Sequence, residues 1–336
     1  MGTIRVRQKI YRLIFILSLS VIYMMIFCFG LEIYLRISGN YKLKNFIVGN
    51  CGWNRNLESG IPEDLILSDN AGLGWELSPR ARIINGYGRF KKGRQKKPKG
   101  VFRILILGDS VTQMGNWKVL EEKLNTSGLN YRFEVWNCGV SGYGISNFYY
   151  YLKERALNFD ADLIIIGFCL TTFSGSNLVI FDGKKYLEFF NPFMVIKFPF
   201  NRILFLHSHL YRFIVYDLEK IVLNKIDLEK IIIDRFKWLV SLCHKNEIEI
   251  IAIIWPFLKN NYSDNDKYNY FEIRSLVEMN NIPYIDCHKS LVDRDDSSLR
   301  MSPDDYIHPS EKAFEIMAPD IYNFIVSYLK AQRILK

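Results

Sequence analysis

Three residues of this chain have the types and spacing of an activated nucleophile. Ser110 lies in ILILGDSVT, where an apolar run stops at Gly108-Asp109 and helix-compatible sequence follows. Asp305 and His308 stand three apart in DDYIHPS, near the C-terminus. A lone serine hydroxyl is a poor nucleophile. It needs a base, and an imidazole base needs a partner that fixes its tautomer and stabilises its charged form. D-x-x-H supplies base and partner from one turn. Each residue also has an ordinary reading: Ser110 as a helix N-cap, Asp305 as a turn former, His308 as a surface residue before a proline. Their joint occurrence, in this order, favours acyl transfer through a covalent acyl-serine, a reaction that requires neither cofactor nor metal ion. Gly142, in the turn after a second apolar run, can aim a backbone N–H at a developing oxyanion. Thr171 and Thr172 follow a third run.

These residues need a scaffold that gathers strand ends. Strands are expected at Arg103–Leu107, Phe133–Asn137, Leu163–Phe168, Ile248–Trp255 and Tyr284–Asp286. Helices are expected around Trp117–Asn125, Ser146–Leu157, Asp227–Lys245 and Ser310–Lys330. The unbroken apolar run Leu163–Phe168 suits a parallel strand buried on both faces. Strands alternating with helices predict an α/β fold with a doubly wound parallel sheet, in which ligands gather at the carboxyl ends of the strands. About eighty residues separate the third and fourth strands, more than one crossover needs. The excess, 174–224, is an aromatic-rich insertion (Phe189, Phe190, Phe193, Phe198, Phe200, Phe205) for which core packing is the default. A lid, an acyl-binding wall and a membrane-contacting surface are the functional alternatives. Lys197 and Arg202 argue against a second membrane span.

Ahead of this domain lie two further regions. Leu13 to Leu31 is largely apolar and follows Arg5, Arg7, Lys9 and Arg12; as helix it is roughly 28 Å long, enough to cross a bilayer core. No small-residue cleavage site follows it, so an uncleaved anchor is favoured over a signal peptide. The flanking charge places the N-terminus in the cytoplasm and the body of the protein outside, against a modest counter-bias from Arg36, Lys42 and Lys44. The segments are therefore 1–37 (N-terminus and anchor), 38–100 (a sparsely structured linker) and 101–336 (the α/β domain). In the linker, Leu73–Pro79 is expected to pack on that domain.

The chain has 336 residues, 49% of them hydrophobic and 24% charged, which is the balance of a globular protein rather than a disordered one. Much of the +9 net charge crowds into Arg89, Lys91, Lys92, Arg94, Lys96, Lys97 and Lys99. No nucleic-acid motif accompanies it, so no nucleic-acid partner is expected. A solvated loop is the default, and contact with lipid headgroups or an anionic polymer is the functional reading. The six cysteines show no C-x-x-C, and His207-x-His209 lacks carboxylates at ligand spacing, so neither a disulfide framework nor a metal site is indicated.

The segments ILILGDSVT, NCGVSGYG and DDYIHPSEKAFEIMA resemble the SGNH/GDSL hydrolase superfamily over roughly residues 101–330. The resemblance implies a flavodoxin-like three-layer α/β/α sandwich, with Ser110 as nucleophile, His308 as base and Asp305 orienting it. It also implies that the amides of Ser110 and Gly142 donate to the oxyanion. A membrane-anchored chain of this type resembles bacterial members that act on acyl esters, often acetyl groups on surface glycans. Two positions depart from the family pattern. Thr171 stands where an asparagine supplies a third oxyanion donor, and its hydroxyl is a shorter-reaching one. Met114 replaces a common glycine, with Gly115 one place later. Two alternatives follow: an O-acyltransferase using the same triad, or a catalytically weak glycan-binding or assembly module.

Overall fold

Leu163–Phe168 is buried along its whole length, as a strand covered on both faces must be. In the computed structural model it is the central strand of a five-stranded parallel sheet. The structure describes residues 2–39, 41, 65–68, 73, 75–77, 96–170, 178–181, 187–190, 201–214, 228–259, 262–291 and 297–335. The strands in chain order are β1 (Leu65–Leu67), β2 (Trp75–Leu77), β3 (Val101–Gly108), β4 (Arg132–Gly139), β5 (Leu163–Phe168), β6 (Leu178–Phe181), β7 (Leu187–Phe190), β8 (Glu249–Ile254) and β9 (Tyr284–Asp286). The helices are α1 (Gly2–Ser38), α2 (Ser110–Met114), α3 (Trp117–Thr126), α4 (Ile145–Glu154), α5 (Arg202–His207), α6 (His209–Phe213), α7 (Leu228–Lys245), α8 (Asp264–Met279), α9 (His288–Leu291) and α10 (Glu311–Ala331).

The parallel sheet runs β4-β3-β5-β8-β9, so its strands lie in the order second, first, third, fourth, fifth. This is the flavodoxin-like winding, in which the chain reverses direction across the sheet between its first and third strands. Helices cover both faces. On one, Trp117, Leu120 and Leu124 of α3 join Phe314, Met317, Ile321, Ile325 and Leu329 of α10 in the buried core. These apolar residues recur every three or four positions, which sets them on one stripe of each helix. On the other face, Phe148 of α4 and Phe236 of α7 pack edge-on against Phe168. The result is the expected α/β/α sandwich.

Several boundaries differ from the sequence reading. The helix expected at Ser146–Leu157 ends at Glu154 and passes into a 3-10 turn at Ala156–Phe159. Helix α8 was not anticipated, although Ser263 and Asp266 form a reciprocal cap at its start. The insertion holds a two-stranded sheet, β6-β7, and the short helices α5 and α6. The linker carries the antiparallel pair β1-β2.

By its contacts the chain divides into two units, 1–60 with 177–189 and 197–227, and the remainder. The first holds α1, which runs seven residues beyond Leu31 and whose stretch Ile10–Ser38 contains an 18-residue window of mean hydropathy 2.5, long and apolar enough to cross a membrane. Its Glu32 carboxylate accepts hydrogen bonds from the Ser208 hydroxyl and from the amides of His209 and Leu210. The second unit holds the parallel sheet and the candidate site.

Candidate active site

The site begins with a row of glycines. Gly139, Gly108 and Gly167 are register partners at the carboxyl ends of β4, β3 and β5. A β-carbon at Gly108 would lie 2.0 Å from Thr112 Oγ1, at Gly167 2.3 Å from the same atom, and at Gly139 2.4 Å from the Gln113 amide nitrogen. Helix α2 thus rests directly on the sheet, in space that only glycine leaves open. Asp109 caps it by accepting the Val111 amide at 2.9 Å. The cap is Asp109, then, and Ser110 is the first helical residue. Its own amide has no acceptor inside the helix.

Ser110 Oγ lies 2.8 Å from His308 Nε2, and His308 Nδ1 lies 2.8 Å from Asp305 Oδ2. The chain separation between serine and histidine is 198 residues. The loop carrying the pair is tied down on both sides. The Met301 amide donates to the His308 carbonyl, the Ser310 amide to Leu299, and the Leu258 amide to Tyr306. Asp305 Oδ1 accepts the amides of Ile307 and His308, each at 3.0 Å. One carboxylate oxygen therefore folds the turn while the other holds the imidazole. Partial burial raises the Asp305 pKa, but the donated hydrogen bonds outweigh it and hold the carboxyl below its ordinary range. The side chains of His308 and Asp305 remain 22% and 26% exposed, so a substrate can reach them.

Asp109 behaves in the opposite way. Full burial pushes its carboxyl above the ordinary range, against hydrogen bonds from the Cys169 thiol and the Val111 amide.

Gly142 occupies the third position of a four-residue turn closed by the Tyr143 amide donating to the Val140 carbonyl at 3.1 Å. Its φ of +79° is what a type II turn demands there, and glycine meets it without strain. Gln113, which the sequence reading did not single out, ties this turn to α2. Its side-chain oxygen accepts the Ser141 amide at 2.7 Å and the Ser141 hydroxyl at 2.8 Å. Its backbone carbonyl accepts Asn137 Nδ2. A glutamine three residues after a serine carries no local signal of this kind; only the fold brings it to residue 141.

Thr171 lies outside the described residues; β5 is followed by buried Cys169 and Leu170. Gly115 caps α2, and a β-carbon there would run into the Trp117 ring. Met114 therefore displaces the glycine by one place and the chain still closes under that indole. Of the basic run, Lys96, Lys97 and Lys99 are described. Lys97 is held by an ion pair with Asp162 and by its amide to Asp160. His209 Nδ1 accepts from the Arg212 guanidinium at 2.9 Å. Among the described residues no three His, Cys, Asp or Glu side chains are grouped as metal ligands would be.

No family model and no curated protein matches the chain. Solved structures do. The chain is similar to a GDSL-like lipase from Bacteroides thetaiotaomicron, at 15% identity over 68% of this chain and 89% of that one, with a TM-score of 0.39. It is similar to the lipase/acylhydrolase from Enterococcus faecalis, at 16% identity over 70% and 97%, with a TM-score of 0.40. It is also similar to the psychrotrophic esterase EstA from Pseudoalteromonas sp., at 17% identity over 68% and 98%, with a TM-score of 0.41. The likeness is one of fold.

Proposed function

We propose that the chain is a serine esterase of the SGNH/GDSL type. The observation that carries this reading is the continuous hydrogen-bonded line Ser110 Oγ–His308 Nε2 and His308 Nδ1–Asp305 Oδ2, with both links at 2.8 Å. In the first step Ser110 Oγ attacks the ester carbonyl as His308 Nε2 takes its proton, and the imidazolium is stabilised by Asp305. The carbonyl oxygen becomes an oxyanion that the amides of Ser110 and Gly142 receive. Collapse of the tetrahedral species breaks the ester C–O bond, and His308 returns the proton to the departing alcohol. Water, deprotonated by His308, then releases the acyl group and restores Ser110.

For the substrate we propose an O-acylated cell-surface carbohydrate, with acetyl the favoured acyl group. Support comes from α1, a helix long and apolar enough to hold the enzyme at a membrane; the proposal puts the body of the chain on the outer side. By the resemblance, Thr171 stands in the sequence where the family's asparagine supplies a third oxyanion donor, and loss of one such donor lowers turnover by about 10²–10³.

The test is labelling of the full-length protein in detergent with a fluorescent fluorophosphonate, beside Ser110→Ala, His308→Ala and Thr171→Asn. Labelling that disappears in the serine and histidine variants and strengthens in Thr171→Asn is the expected result. A folded protein that stays unlabelled even with asparagine at 171 would sink the esterase reading and favour a glycan-binding module. Acyl transfer to an added sugar in preference to water would make it a transferase.

A further inference from the structure

The Leu73–Leu77 segment reaches the turn that holds Gly142. Trp75 is buried, and its indole Nε1 donates to the Ser141 carbonyl at 2.9 Å. The Tyr143 hydroxyl donates back to the Trp75 carbonyl, and the two rings meet edge-on at 5.8 Å. Asn147 links the same parts, giving Nδ2 to the Leu73 carbonyl at 3.3 Å and accepting the Gly144 amide at 3.0 Å. Next to Trp75, Glu76 receives both Nε and Nη2 of Arg155, at 2.7 and 2.9 Å. The segment is thus fastened to the sandwich on each side of the indole.

The bond to Ser141 matters because of where it falls. Types I and II of a four-residue turn differ mainly by a rotation of about 180° of the central peptide. Here that peptide is Ser141–Gly142. Since a peptide is planar and trans, fixing the Ser141 carbonyl fixes the Gly142 N–H pointing the opposite way. We propose that Trp75 is a positioning residue that holds this peptide in the type II state and so sets the direction of the Gly142 donor. Gln113 fixes the preceding amide, that of Ser141, and leaves the central peptide to Trp75. This inference rests on the esterase reading for the role of the Gly142 N–H; the turn geometry stands without it.

Trp75→Phe removes the indole N–H and keeps a ring against Tyr143. In the full-length protein, kcat for a soluble acyl ester is expected to fall about 10- to 100-fold, with KM within about twofold, because the donor acts on the transition state rather than on the ground state. A crystal structure of the variant is expected to show the Ser141 carbonyl rotated and Gly142 at negative φ, or both turn forms together. Trp75→Leu, which also loses the ring packing, is expected to lower thermal stability more than Trp75→Phe while changing kcat by a similar factor. If Trp75→Phe keeps its kcat and its Ser141 carbonyl while Ser110→Ala is inactive, the Trp75 role is overturned and the esterase reading stands. If the wild type neither hydrolyses esters nor labels at Ser110, both fall together.

Discussion

Thr112 Oγ1 fills the place where a β-carbon on Gly108 would be, 2.0 Å away. The turn that bears Ser110 is therefore seated by a missing methyl group. Gly108→Ala must lift α2 off the sheet, and overpacking of this kind costs about 1–3 kcal/mol. The urea midpoint should fall accordingly, and kcat should fall more than stability alone explains, since Ser110 moves with the helix. Thr112→Gly in the same chain should recover part of the loss by vacating that space. A Gly108→Ala protein with unchanged midpoint and rate would show that the turn accommodates the methyl freely.

Asp305 does two jobs with two oxygens, and Asp305→Asn separates them. The amide oxygen can still accept from Ile307 and His308, but the amide nitrogen cannot accept from His308 Nδ1. The imidazole then loses the partner that holds its tautomer, and kcat should drop by about 10³–10⁴.

The same carboxyl gives a pH signature. Its pKa is lowered in the folded state, so its contribution to stability is complete above about pH 4–5, where the unfolded carboxyl is ionised. That contribution disappears as the pH falls through the lower, folded-state value. Urea midpoints of wild type and Asp305→Asn should differ at neutral pH and converge in acid. A gap that widens as the pH falls would contradict the assignment.

Glu76 and Arg155 form a fork-shaped ion pair with side chains only 9% and 18% exposed, and Ser68 adds a bond to the carboxylate at 2.6 Å. Breaking such a pair strands the remaining charge. Glu76→Ala should cost roughly 3 kcal/mol, and Glu76→Gln about half of that, with the m-value unchanged in chemical denaturation. A loss within experimental error would mean that the Leu73–Leu77 segment is not fastened by this pair.

Membrane attachment through α1 has a direct readout. The full chain should sediment with membranes, resist carbonate extraction, and retain its N-terminal peptide by mass spectrometry. Recovery of a shortened, soluble form from cells would identify the apolar stretch as a cleaved signal sequence.

What could be read from the sequence by itself was whatever depends on periodicity and on residue type. Leu163–Phe168 and Tyr284–Asp286 are strands to the residue, because an apolar or β-prone run bounded by polar residues has little alternative. Ser110, Asp305 and His308 could be named as a set because D-x-x-H is local, within one turn. The sequence could also mark Gly142 as a turn glycine. Helix α8 was missed: exposed Tyr268 and Phe271 blur its buried stripe of Ile273, Leu276 and Val277. The hydrogen bond between Ser110 and His308, the row of glycines under α2 and the contact from Trp75 to Ser141 were beyond it. Each joins residues far apart in the chain or aligns strands by register, and register is set only when the strands pair. Leu73–Pro79 was expected to pack on the domain, yet which atom Trp75 would reach depended on the turn at residues 140–143. Local pattern determined the parts and their chemistry; the pairing of strands decided which parts touch.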